Sequence, residues 1–258
     1  MSRVADWLAP DWRIAEVGAL MTTREGGVSG DPYRSMNVGT AVGDDAAAVH
    51  ANRQMLASAC GARPVFLRQV HGARVVRIGA ADASSDAAPP EADASVTTEP
   101  GIACTVLVAD CLPVLFAAPS GRAVAAAHAG WRGLAAGVLD AALAAVCEAA
   151  SCSPADVSVW LGAGIGPRAF EVGAGVLEAM GDDPADANPA RFRPGRPGRW
   201  LADLPGLARD RLGAAGTTRI HGGTWCTVES PSRFFSYRRD GVIGRMAAAV
   251  WIGGADGR

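Results

Sequence analysis

Apolar and polar positions along the chain fall into short runs, and the runs predict a mixed α/β protein. Strands are predicted over 16–23, 64–70, 74–78, 101–109, 114–118, 123–128, 157–161 and 245–252, where small, β-branched and other apolar residues dominate. Helices are predicted over 46–59, capped by Asp44-Asp45 and stopped by Gly61, then over 134–150 and 204–212. Two stretches, 79–92 and 181–199, are rich in small, polar and Pro/Gly positions and read as exposed loops, the second separating two short helices. Some strands adjoin through tight turns such as Pro119-Ser120-Gly121. That argues for mixed sheets with helices outside, not pure βαβ winding. No internal repeat is present.

Composition narrows the chemistry. At 258 residues the chain is long enough for one large domain or two small ones. A net charge of −2 and an isoelectric point near 6.1 argue against a general nucleic-acid or anionic-membrane binder. All 24 basic residues are arginine. The lack of lysine excludes a P-loop, a pyridoxal Schiff base and a lysine nucleophile. Anion binding then falls to arginine, whose rigid fork suits phosphate. Six cysteines without a signal-like opening segment point to a reducing, cytoplasmic setting rather than disulfides. No apolar run approaches the roughly 20 residues a membrane helix needs.

Three strand ends carry the candidate chemistry: Gln69-Val70-His71-Gly72, Ala109-Asp110-Cys111-Leu112-Pro113, and AVAAAHAGWRGLAAG over 123–137, whose strand ends on His128. A thiolate and two imidazoles are the donors of a catalytic zinc with one open position. Such a zinc polarises a carbonyl or lowers the pKa of a water to roughly 7. His71 and Cys111 lie 40 residues apart, a spacing that matches no local metal motif. Residue types alone therefore leave three readings open: a metal site, a Cys111 nucleophile with His128 as its base, or a structural cysteine among core histidines. Asp110 can orient a ligand, move a proton or cap a turn. Arg24, Arg53 and Arg132 suit phosphate or carboxylate, and equally a solvated surface; Glu171 is as open. Cys60, Cys104, Cys147 and Cys152 read as core, His50 and His221 as surface helix and loop residues, and Trp131 as packed beside its strand. The GAGIGP run over 162–167 is not a dinucleotide fingerprint, because Pro167 takes the third glycine's place.

From residue 16 to 252 the chain closely resembles the bacterial family once called multicopper polyphenol oxidase or laccase-domain proteins. That family is now treated as purine nucleoside phosphorylases and is also named peptidoglycan editing factor. The segments that carry the resemblance are TTREGGVSGDPYRSMNVGTAVGDD, VHANR, RQVHG, EADASVTTEPGIA, VADCLPVLF, AAAHAGWRGLAAGVL, GIGPRAFEVG and RFFSYRRDG. It implies one α/β (α+β) domain over 1–258, an α/β/β/α sandwich with mixed sheets similar to bacterial cysteine deamidase toxins. It also implies a zinc site at His71, Cys111 and His128, with Asp110 beside them in the catalytic set. Arg24, Asn37, Arg53 and Arg132, which fall in shared segments, are then the expected substrate contacts. The implied activity is phosphorolysis of adenosine, inosine, guanosine and methylthioadenosine, plus hydrolytic deamination of adenosine. Phe170, Ala163 and Ile243 depart from the family's usual tyrosine, proline and threonine, and none is an expected ligand.

Alternatives of other classes are a Cys111–His128 hydrolase acting on peptidoglycan precursors, a copper-dependent phenol oxidase, and a structural protein with a zinc-stabilised core. Four histidines in all are few for several coppers. Purine nucleosides and phosphate are the expected partners, with no nucleic acid or membrane, in a monomer or homodimer.

Overall fold

Alternation of side chains along each strand builds this protein in layers. A computed structural model describes residues 6–84 and 87–253. One sheet has the order β1 (Val17–Met21), β13 (Met246–Ile252), β5 (Ile102–Val108), β2 (Arg63–Val65), with only the β2–β5 pair parallel. A second has the order β12 (Arg219–Gly222), β8 (Ser158–Leu161), β6 (Leu112–Ala117), β7 (Val124–Ala129), β4 (Ala94–Thr97), β3 (Val75–Arg77). Its middle strands are antiparallel and its two outer pairs parallel.

Successive strand residues face opposite sides. Cys104, Val106 and Val108 of β5 and Met246, Ala248 and Val250 of β13 share one core with Leu115, Ala126 and Trp160 of the second sheet. The other parity of the second sheet, including Val114, Phe116, Ala125 and Ala127, packs on α3 (Val138–Ala150) and α5 (Leu204–Ala214). On the far side, Leu20, Ala247 and Ala249 meet Leu56 and Cys60 of α1 (Ala46–Cys60). The layers are therefore α/β/β/α. Burial on both faces explains why the central strands read as unbroken apolar runs instead of alternating ones.

Several expectations need correction. The helix expected over 134–150 is two helices, α2 (Trp131–Ala136) and α3, parted by Gly137 at φ 95°. Of the strand expected over 64–70 only Pro64 and Val65 pair in a sheet, as the end of β2; beyond it a single bridge joins Arg68 to Glu91. The loop expected over 181–199 does separate α4 (Ala174–Ala179) from α5, but buried Phe192 anchors β10 (Phe192–Pro194) within it. With β11 (Arg199–Ala202) and β9 (Glu171–Gly173) it forms a third, antiparallel sheet. β4 and the edge strand β12 were not anticipated. His221 lies on β12, not in a loop, 3.3 Å from an Asp11 carboxylate oxygen. The GAGIGP run leads into a turn and β9 without opening a helix, so nothing there resembles a nucleotide-binding βα turn. Among the described residues no helix is long and apolar enough to cross a membrane.

Gly137 occupies the left-handed region that a side chain disfavours, while a Cβ there would meet only ordinary contacts. Gly137→Ala should lower the unfolding free energy by about 1 kcal/mol in chemical denaturation, with the site unaffected.

Candidate metal centre

Two adjoining strands of the second sheet deliver the central residues. β7 carries His128 near its end, and Cys111 immediately precedes β6. Pro113 is tolerated in this central strand because the β6–β8 ladder begins only at Val114. His71 arrives on a tight turn, with φ 61°. One ligand atom from each of His71, Cys111 and His128 lies within 4.8 Å of the others, and His71 Nε2 is 3.8 Å from Cys111 Sγ. Tetrahedral zinc with one sulfur and one nitrogen ligand spaces them by about 3.5 Å, so this donor set fits such an ion. His128 is buried, Cys111 half-buried and His71 exposed.

Asp93, fully buried, holds the arrangement in place. Its carboxylate accepts hydrogen bonds from three successive backbone N–H groups: Val70 at 3.1 Å, His71 at 2.9 Å and Gly72 at 2.7 Å. It also sits 2.8 Å from His128 Nδ1, and the His128 N–H donates to the Asp93 carbonyl at 2.7 Å. An ionised carboxylate only accepts, so Nδ1 carries the proton and Nε2 keeps its lone pair for a ligand. Burial pushes the Asp93 carboxyl up, but His128 and the Gly72 and Val70 amides outweigh it and hold the carboxyl below its ordinary value. Burial likewise pushes the Cys111 thiol up, yet hydrogen bonding and charge from His128 and His71 bring it to about 6. His128 is raised to about 9 against burial, by Asp93 and Cys111. Both shifts favour a thiolate beside an imidazolium when no metal is bound.

Two glycines of HAGWRG make room for this. A Cβ on Gly130 would stand 2.9 Å from Cys111 Sγ and 3.1 Å from His71 Cδ2; one on Gly133 would stand 2.9 Å from the Gly72 carbonyl oxygen.

The three donors line a cleft of about 820 Å³ together with Arg53, Arg132, Asp110, Phe66, Phe170 and Arg245. Arg132 is exposed over Trp131, which is half-buried beside β7 as expected. Two expected substrate contacts do not line the cleft. Arg24 is a clamp, donating to the carbonyls of Arg34 and Pro231 and lying over Phe235. Asn37 is fully buried behind the wall, bonded to Gly39, Asp44 and the Arg245 N–H. Asp110 does line the cleft, but Thr227 Oγ1 at 2.5 Å and the Arg238 N–H at 2.6 Å engage its two oxygens. That suits it to pin α6 (Tyr237–Asp240) at the rim. Glu171 pairs with Arg196 away from the cleft. The sequence marks neither Asp93 nor Arg245 for the site, although Asp93 falls in EADASV and Arg245 opens the strand expected over 245–252.

Residues 18–253 match the family described as multi-copper polyphenol oxidoreductase laccase. The chain belongs to this family. A purine nucleoside phosphorylase of Pseudomonas aeruginosa is 49% identical over 247 residues, 95% of this chain and 98% of that one. The purine nucleoside phosphorylase YfiH of Escherichia coli is 45% identical over 251 residues, again 95% and 98%. Among solved structures, YlmD of Geobacillus stearothermophilus superposes with a TM-score of 0.89 at 34% identity, covering 98% of both chains. A Neisseria meningitidis protein gives 0.87 at 44%, covering 96% of this chain and all of that one. The laccase family's description speaks of several coppers. Among the described residues only His71, Cys111 and His128 form a group able to hold a metal, which is room for one ion.

Asp93→Asn would replace a carboxylate that accepts four hydrogen bonds by an amide with one acceptor oxygen. Metal affinity, measured by competition with a chelating dye, should fall by about 10- to 100-fold. The depressed Asp93 carboxyl stabilises the fold above the ordinary carboxylate range; that contribution disappears as pH falls through its lowered value. The Asn variant should therefore lose stability at neutral pH and show a flatter acid limb in urea titrations. Metal binding has its own proton signature. Between about 6 and 9 the thiol has lost its proton and His128 has not, so each ion displaces one proton from this pair. Affinity should rise with pH in this window and level off above it, as calorimetry in buffers of different ionisation enthalpy will reveal.

Proposed function

We propose that this protein is a zinc-dependent purine nucleoside phosphorylase acting on adenosine, inosine, guanosine and methylthioadenosine, with adenosine deaminase activity, in a cytoplasmic setting. The observation that carries the reading is the juxtaposition, in one cleft, of a single three-donor metal group with several arginines. Relatives at 45–49% identity over nearly the whole chain are named purine nucleoside phosphorylases, which supports the same class.

One thiolate and two imidazoles favour zinc over hard cations, and three protein ligands are the usual count for a catalytic ion. Bound there, zinc would supply Lewis-acid polarisation and a water of lowered pKa. The chain's own residues do the rest. Asp93 keeps the His128 proton on Nδ1 and fixes the His71 turn. Phe66, Phe170 and Trp131 give the cleft an aromatic lining against which a purine can pack, Phe66 lying under Arg53 and Trp131 under Arg132. Arginines neutralise phosphate for attack at C1′ of the ribose. Asp110 holds α6, and with it Tyr237 and Arg238, at the rim.

A second reading rests on the line Cys111–His128–Asp93, which has the order of a nucleophile, base and orienting carboxylate. It makes the protein a thiol hydrolase of the kind that would edit peptidoglycan precursors.

Turnover of adenosine by the purified protein separates the two. The leading reading expects adenine and ribose 1-phosphate only with phosphate, inosine without it, and both lost on chelation and restored by zinc. Cys111→Ser should cut both rates by about 100-fold or more. No nucleoside product from the zinc-loaded protein would refute it. Amidase activity that survives chelation but dies with Cys111→Ser would establish the thiol hydrolase instead.

A further inference from the structure

The cleft holds two half-buried arginines that form no ion pair among the described residues. They are Arg53, on α1, and Arg245, just before β13. They are tied to the same buried residue, Val38, behind the cleft wall. Arg53 Nε donates to the Val38 carbonyl at 2.9 Å, while the Val38 N–H donates to the Arg245 carbonyl at 3.1 Å. Next to Val38, Gly39 has no Cβ because one would stand 2.8 Å from Arg245 Cγ. Arg53 is stacked on Phe66, 3.8 Å from the ring centroid. Arg245 uses Nη1 on the Ile243 and Gly244 carbonyls at 2.9 and 3.1 Å.

These bonds fix one edge of each guanidinium. Both Nη groups of Arg53, and Nε and Nη2 of Arg245, have no acceptor among the described residues. No carboxylate lies within 4.0 Å of either; Asp110 and Cys111 act on Arg245 only from farther off. The other cleft arginines differ. Arg68 is exposed and paired with Glu91, Arg132 is exposed, and Arg238 is exposed and bonded to the Glu171 carbonyl. Burial disfavours the charge on both Arg53 and Arg245. Two desolvated charges lining one cleft are costly unless an anion completes them.

We infer that Arg53 and Arg245 form the phosphate subsite of the cleft, presenting free N–H groups from two rigidly anchored guanidinium planes to a tetrahedral dianion. This rests on the phosphorolytic reading above and assigns the co-substrate to one wall. Bidentate arginine forks fit phosphate oxygens. Cys111 borders the same cleft, so an anion held there lies on the metal side of the wall.

The test uses Arg53→Gln and Arg245→Gln, with Arg53→Lys and Arg245→Lys as variants that keep charge and stem if the first pair misfolds. Steady-state kinetics with inorganic phosphate and inosine, metal content, and the rise in Tm on adding phosphate are measured for each. The expected result is a phosphate KM raised by about tenfold or more. The inosine KM and the metal content should stay near wild type, and phosphate should no longer raise Tm. Folded variants with an unchanged phosphate KM would overturn the assignment. So would weakened inhibition by adenosine 5′-monophosphate with an unchanged phosphate KM, since the pair would then read a substrate's own phosphate. A wild-type protein that forms no purine base would sink the phosphorolytic reading instead. The Tm response to phosphate would still decide the subsite, supporting it if the wild type responds and the variants do not, and rejecting it otherwise.

Discussion

Everything at the centre depends on one buried carboxylate. Asp93 sits without solvent contact and remains charged because three amides in a row and one imidazole satisfy it. Removing any of these would leave a buried charge short of partners, a cost of about 1–3 kcal/mol or more. The carboxylate thereby dictates the left-handed turn at His71 and the tautomer of His128 at once. His71 and His128, far apart in sequence, become one rigid unit, and Cys111, just before the neighbouring strand, completes a group that could hold a metal. Preorganisation of this sort is what a metal centre requires of its protein.

The surrounding scaffold serves the same end. A six-stranded sheet buried on both faces gives Cys111 and His128 a stiff base, and alanine-rich β7 allows α3 and the opposing sheet to approach it closely. Gly130 and Gly133 are absent side chains in the strict sense: a methyl group at either would displace Cys111 or the turn that carries His71. The cleft walls come from other layers. Arg53 projects from the helix covering the first sheet and Arg245 from just before β13 of that sheet, so the cleft gathers residues from both sheets.

Much of this was legible in the residues. Unbroken apolar runs located β5, β6, β7 and β13, and strand-end His and Cys residues marked the three donors. Cap chemistry placed α1 almost to the residue, with Asp45 accepting from the Ala47 N–H and Gly61 in the left-handed region. What stayed hidden had physical reasons. β12 is a polar edge strand, so its sequence lacks a buried period. The break at Gly137 interrupts a stretch whose apolar spacing continues through it. Asp93 looks like any loop-end aspartate until the fold brings His71 and His128 to it. Arg24 and Asn37 sit in segments shared with the family, and in the fold they bond to loop backbone and Asp44 and do not line the cleft. Whether an arginine faces a ligand or a backbone carbonyl depends on tertiary placement, which residue type does not carry.

The most direct measurement is X-ray absorption at the metal edge of the purified protein, with a metal count on the same sample. The account predicts one zinc per chain, bound by one sulfur and two imidazole nitrogens together with a lighter, exchangeable ligand. Several coppers per chain, or a zinc without sulfur in its shell, would contradict it.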